Sequence, residues 1–215
     1  MIHTIFFDLD GTLTDSAPGI IHSVQYALKK YGIEAEENDL RSFIGPPLVH
    51  SFQDRFGFDH DKALEAVAYY REYFTAGCMF ENSVYPGVEE MLQKLKEDGL
   101  MLAVATSKPE FFSKQILEHF ALTRYFDFIG GAAMDETRTT KVEVLSYALQ
   151  ELQVDPAKAV MIGDRENDME AASLLGTESI GVLYGYGSKE ELANAGAKVF
   201  AETPMDICRI ISGWE

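Results

Sequence analysis

Ile2-His3-Thr4-Ile5-Phe6-Phe7-Asp8-Leu9-Asp10-Gly11-Thr12-Leu13-Thr14-Asp15-Ser16 is the stretch on which the reading of the fold turns. Ile2 to Phe7 has the length and the Ile and Phe content of a buried strand, and it runs straight into the polar turn that begins at Asp8. Asp8 and Asp10, two residues apart, share one side of any strand that continues. Like charges repel there unless a cation or a proton offsets them. A solvated turn is the plain alternative, since aspartate is common in turns. A second constellation argues against it. Val160-Met161-Ile162-Gly163-Asp164-Arg165-Glu166-Asn167-Asp168 again sets an apolar strand before an aspartate, with another aspartate four residues on. Asp168 falls in the first turn of a helix, where an acidic group also favours the helix dipole.

Working outward, Ser16 and Pro18 suit a helix start, and Ile20, Ile21, Val24, Leu28 and Tyr31 follow at helical spacing until Gly32. Helices are predicted over 48–56 and through Ala63, Leu64, Val67, Tyr70 and Phe74, with no strand pattern between Gly32 and Cys78. Residues 16–82 are therefore expected to form an all-helical insertion, and residues 1–15 and 83–215 the core. After Tyr85-Pro86-Gly87, strands over 100–105, 126–129, 159–162, 179–183 and 198–200 alternate with helices, among them 142–152, 167–175, 189–195 and 205–211. This rhythm predicts an α/β protein, a Rossmann-like doubly wound parallel sheet covered by helices. Asp8, Thr106 and Asp164 then end strands along one carboxyl edge, where open α/β sheets bind ligands. Thr106-Ser107 offers hydroxyls and N–H groups to a phosphate oxygen, and Lys141 offers a cation.

Charge and composition narrow the partners. Eighteen Lys+Arg against 35 Asp+Glu give a formal net charge of −17, which excludes nucleic acid or an anionic membrane held by bulk electrostatics. Cys78 and Cys208 are too few and too distant for a disulfide framework or a metal cluster, and are expected to be buried thiols. No apolar run reaches membrane-spanning length and the N-terminus lacks the pattern of a signal peptide, so a soluble cytoplasmic protein is expected.

On the stretch from Asp8 to Ser16, on Ile162-Gly163-Asp164 and on Gly185-Tyr186-Gly187, the chain resembles haloacid dehalogenase superfamily phosphatases with a helical cap inserted after the first motif. Within that superfamily it is most similar to phosphoglycolate phosphatases and cytosolic 5'-nucleotidases, over essentially its whole length. The resemblance implies that Asp8 attacks phosphorus to form an aspartyl phosphate, and that Asp10 protonates the leaving oxygen and then activates water. It implies a Mg²⁺ ion held by Asp8, the Asp10 carbonyl and Asp164. Thr106, Ser107, Lys141 and the turn at Gly11 would hold the phosphate, with Asp168 behind Lys141 or a water on the metal. Ser107 stands where asparagine is frequent, and Lys141 is followed by Val142 where many relatives have proline; the second departure leaves Lys108 as an alternative, with Lys141 favoured because it opens a helix shortly before the Asp164 strand.

The loop Ile44-Gly45-Pro46-Pro47-Leu48 resembles one that such caps direct at the active site. Arg41, His50 and Arg55 are candidates to meet a substrate carboxylate, although residues of these types are more often solvated surface groups. The expected partner is a small phosphorylated metabolite, phosphoglycolate above all. A nucleoside monophosphate, a phosphosugar mutase reaction and a non-catalytic phosphometabolite sensor are the alternatives. Asp10 counts against an acid dehalogenase, which needs neither it nor the metal.

Overall fold

The computed structural model describes residues 2–135 and 137–214. It divides into two compact units, one comprising the chain through Thr14 together with Val84 onward, the other Asp15–Ser83. The first unit begins with β1 (Thr4–Phe7). Two short strands, β2 (Thr14–Asp15) and β3 (Ser83–Val84), mark where the chain leaves this unit and returns.

The helical unit consists of α1 (Ala17–Lys29), α2 (Glu37–Leu40), α3 (Leu48–Phe56) and α4 (His60–Thr75), with 3-10 turns at Arg41–Phe43 and Cys78–Phe80. The helix predicted over 48–56 has those bounds. Helix α2 was not anticipated, because four residues with only Leu40 buried carry no apolar period. Phe43 and Phe52 pack edge to face at 5.0 Å, and Tyr26 stacks on Tyr73 at 4.7 Å, so these rings are partnered within the unit. Gly19 lets α1 approach the Cys78 turn closely, since a Cβ there would lie 2.2 Å from the Cys78 carbonyl oxygen.

From Val84 onward come α5 (Val88–Glu97), β4 (Met101–Pro109), α6 (Glu110–His119), β5 (Phe128–Ala132), α7 (Lys141–Glu151), β6 (Ala159–Gly163), α8 (Glu166–Leu175), β7 (Glu178–Val182), α9 (Lys189–Asn194), β8 (Phe200–Ala201) and α10 (Pro204–Ser212). The six longer-range strands form one sheet in the order β5-β4-β1-β6-β7-β8, parallel at every pairing. This is the doubly wound α/β sheet that the alternation predicted. The chain moves from β1 to β4 and β5 on one side, then crosses to β6, β7 and β8 on the other. The order therefore reverses beside β1, so the carboxyl ends of β1, β4 and β6 form the switch point at which open α/β sheets bind ligands.

Every residue of β1 is buried, as a strand covered on both faces must be. Phe6, Ala103, Ala105 and Met161 meet Val144, Leu145 and Ala148 of α7 and Ala171 and Ala172 of α8; the small alanines let the helices lie close to the sheet. Strand β5 starts at Phe128 rather than 126, because Phe126 ends a 3-10 turn. Strand β4 continues past Ala105 to Pro109, with a register shift between Thr106 and Pro109. Ser107 and Lys108 sit in that irregular step, where the Lys108 amide donates to Thr106 Oγ1 at 3.2 Å. Cys78 and Cys208 are free buried thiols. No helix among the described residues is long and apolar enough to cross a membrane.

Phe6 is fully buried on the central strand. Phe6→Ala is expected to lower the unfolding free energy by about 3–5 kcal/mol, read from urea denaturation followed by circular dichroism. An unchanged midpoint would contradict this packing.

Candidate active site

The turn after β1 is closed by backbone bonds: the amides of Leu13 and Thr14 donate to the Leu9 carbonyl at 2.9 and 3.0 Å, and Gly11 N donates to Thr14 O at 2.8 Å. Gly11 has φ +86°, and a Cβ there would lie 2.2 Å from Asp164 Oδ2. Glycine is thus required twice, for the backbone region and for the approach of a carboxylate. Asp8 follows β1 directly, and its amide continues the sheet by donating to Ile162 O at 2.9 Å.

Asp164 follows β6 and is fully buried. Its Oδ1 accepts from the Thr12 hydroxyl at 3.3 Å and its Oδ2 from the Tyr186 amide at 2.8 Å. Gly185 leaves room for it, since a Cβ there would come within 2.4 Å of Asp164 Cβ. The Tyr184 hydroxyl donates to Thr12 O at 3.1 Å, tying the segment after β7 to the Asp8 turn. Asp168, in the first turn of α8, accepts from the Arg165 amide at 3.1 Å and packs on Gly163.

Two lysines divide the aspartates between them. Lys141, the first residue of α7, sits behind a capping box of Thr140 and Glu143. Its Nζ lies 2.6 Å from Asp8 Oδ1 and 2.8 Å from Asp168 Oδ1, and donates to Ala105 O at 3.1 Å. Lys108 Nζ lies 2.9 Å from Asp10 Oδ2. All six of these charged side chains are buried. Four carboxylates and two ammonium groups sum to −4 + 2 = −2, a charge that a low-dielectric interior does not tolerate without a further cation or protons.

The titration behaviour has the same cause. Burial pushes Asp164 well above the ordinary carboxylate range, and Asp168 and Asp8 add to the shift. Burial also pushes Asp168 up to about 6, with Lys141 opposing. Burial works against the charge on Lys141, yet Asp168 and Asp8 outweigh it and raise its pKa. Oxygens of Asp8, Asp164 and Asp168 lie within 4.8 Å of one another, and no backbone donor among the described residues takes the Asp10 carbonyl. A set of hard oxygen donors with excess negative charge fits Mg²⁺.

Asp8, Asp10, Gly11, Asp164, Asp168 and Lys141 thus come together, with Thr106 turned to the Lys108 amide. The Ser107 hydroxyl makes no hydrogen bond among the described residues. Arg41, Gly45, Pro46, Pro47 and Arg55 belong to the helical unit. There Arg55 donates to Ser42 Oγ at 2.8 Å and to Asp39 O at 3.3 Å, and so braces α2 and the turn after it. Sequence reasoning did not find the hydroxyl of Thr12 as a donor to Asp164, the role of Tyr184, or the pairing of Lys108 with Asp10. The Asp-Gly-Thr turn was the available signal for Thr12; nothing local marks the other two.

The doubly wound sheet thus gathers buried aspartates and a bridging lysine at its switch point, a site built around carboxylates. Residues 5–182 match the haloacid dehalogenase-like hydrolase family, and the chain belongs to it. The chain is 47% identical over 189 residues to a 5'-nucleotidase of Pseudomonas aeruginosa, covering 87% of this chain and 86% of that one. It is 34% identical over 191 residues to a phosphoglycolate phosphatase of Aquifex aeolicus, covering 86% of each. The crystal structure of a predicted phosphatase from Clostridium acetobutylicum matches it with TM-score 0.97 at 48% identity, covering 99% of this chain and 100% of that one.

Carboxyl groups whose pKa is raised by folding stabilise the protein at pH values below their unfolded pKa, and that contribution is lost as pH rises through the folded value. For Asp168 the loss falls between 3.8 and about 6. In a chelator the wild type should lose melting temperature across this window relative to an Asp168→Asn variant, and Mg²⁺ should raise it more at neutral than at acid pH. A Mg²⁺ effect independent of pH would contradict the charge balance described.

Proposed function

We propose that the chain is a Mg²⁺-dependent phosphatase that hydrolyses a small phosphate monoester through an aspartyl phosphate. The observation that carries this reading is the placement of Asp8 at the sheet's switch point, tied to Lys141, with Asp10 two residues beyond it and Asp164 on the neighbouring strand end. Asp8 attacks phosphorus in line, and the acyl phosphate it forms splits one difficult displacement into two. Asp10 gives a proton to the leaving oxygen and takes one from the water that attacks next. Lys141, Thr106, Ser107 and the amides of the turn at Gly11 hold the phosphate oxygens, and Asp168 keeps Lys141 in place. Mg²⁺ bound by Asp8, Asp164 and the Asp10 carbonyl would offset the charge of the phosphoryl oxygens against the anionic nucleophile.

Two substrate classes follow. A phosphoglycolate-like ester is the first; a nucleoside 5'-monophosphate is the second, favoured by the 47% identity to a 5'-nucleotidase. The helical unit contains none of the residues assigned to chemistry, and we assign it the choice between them, through Arg41 and Gly45-Pro46-Pro47, with Arg55 acting through the segment it braces.

Turnover of a panel containing phosphoglycolate, nucleoside monophosphates and an aryl phosphate should require Mg²⁺ and cease in chelator. Asp8→Asn should abolish it, and Asp10→Asn should lower kcat by roughly 10²–10⁴ while sparing metal affinity. Full activity after stringent metal removal would overturn the metal assignment.

Variants at Arg41 or in Gly45-Pro46-Pro47 should reorder the substrates by kcat/KM without changing Mg²⁺ affinity. An unchanged ranking together with lost metal binding would remove the helical unit from substrate choice.

A further inference from the structure

Asp10 is tied down by a residue to which the mechanism above gives no part. Lys108 and Asp10 are both buried, with Nζ 2.9 Å from Oδ2, and lysine is rarely buried without a partner. The backbone around Lys108 is held as firmly as its side chain. Its amide donates to Thr106 Oγ1 at 3.2 Å, its carbonyl accepts from Ser113 Oγ at 3.5 Å, and that carbonyl oxygen lies where a Cβ on Gly131 would come within 2.6 Å. These contacts fix the irregular step of β4 from which Lys108 projects. One Asp10 oxygen is thereby occupied, while Oδ1 is buried with no hydrogen-bond partner among the described residues. Lys141 has its own partners in Asp8, Asp168 and Ala105 O.

We infer, resting on the phosphatase reading, that Lys108 is a positioning residue that clamps Asp10 through Oδ2, so that Oδ1 alone handles the proton in both displacements. In the first, the bond from Asp8 to phosphorus forms, the bond from phosphorus to the leaving oxygen breaks, and the Asp10 proton goes to that oxygen. In the second, a water oxygen bonds to phosphorus, its proton goes to Asp10, and the bond to Asp8 breaks. In this role Lys108 acts on the reacting atoms only through Asp10, and the phosphate oxygens fall to Lys141.

Leaving groups separate this role from a structural or phosphate-binding one. An alkoxide needs the proton from Asp10, whereas a nitrophenolate departs without it, and kcat/KM reports only steps through the first displacement. With the full chain and Mg²⁺, Lys108→Met should lower kcat/KM roughly 10²-fold for an alkyl phosphate and less than about threefold for 4-nitrophenyl phosphate. Lys108→Arg should recover most of the loss. In an Asp10→Asn background, Lys108→Met should cost nothing more, since residues that act through one another are not additive.

Equal losses for the two esters, a loss that persists in the Asp10→Asn background, or weakened inhibition by inorganic phosphate would overturn the inference while leaving the phosphatase reading standing. A wild type inert toward both esters would overturn the two together. If Lys108→Met does not fold, Lys108→Gln carries the same comparison.

Discussion

The contact on which the site depends is the bridge that Lys141 makes between Asp8 and Asp168, at 2.6 and 2.8 Å. It joins the end of β1 to the start of α8 through the first residue of α7, and so fixes three chain segments around one ammonium group. Removing either carboxylate would leave charge buried without its partner, which costs far more than an exposed pair is worth. The bridge also leaves the cluster short of positive charge, because Lys108 and Lys141 meet four aspartates. A cation or protons must therefore complete the site's electrostatics before any substrate is considered.

Around this bridge the packing is arranged to bring carboxylates against backbone. Gly11, Gly163 and Gly185 each stand where a Cβ would run into Asp164 or Asp168, so the fully buried aspartates are flanked by glycine rather than by bulky neighbours. Thr12 and the Tyr186 amide each donate to an oxygen of Asp164, and the Tyr184 hydroxyl secures Thr12 from the far end of β7. Such support holds first-contact groups in place before the substrate arrives, and a preorganised charged site loses little to reorganisation during reaction.

Much of this architecture was legible from local pattern. The Ile and Phe run before Asp8 and the apolar run before Asp164 are strands because each is covered on both faces, and their ends carry the aspartates to one edge. The alternation after Tyr85 announced the parallel sheet, and Lys141 opens a helix as anticipated. What local pattern does not carry is contact between distant residues. Thr12 meets Asp164 across 152 positions, and Lys108 reaches Asp10 from the step where β4 shifts register after Thr106. Helix α2 is too short for periodicity, and β5 starts late because a 3-10 turn takes Phe126.

The central claim is that Asp8 carries the phosphoryl group. Rapid quenching of the Mg²⁺-loaded enzyme during turnover, followed by borohydride reduction and peptide mass spectrometry, tests it directly, because an aspartyl phosphate is reduced at the modified residue. Asp8 should be converted to homoserine, in proportion to the phosphoenzyme present. Reduction at another aspartate, or none while turnover continues, would contradict the account.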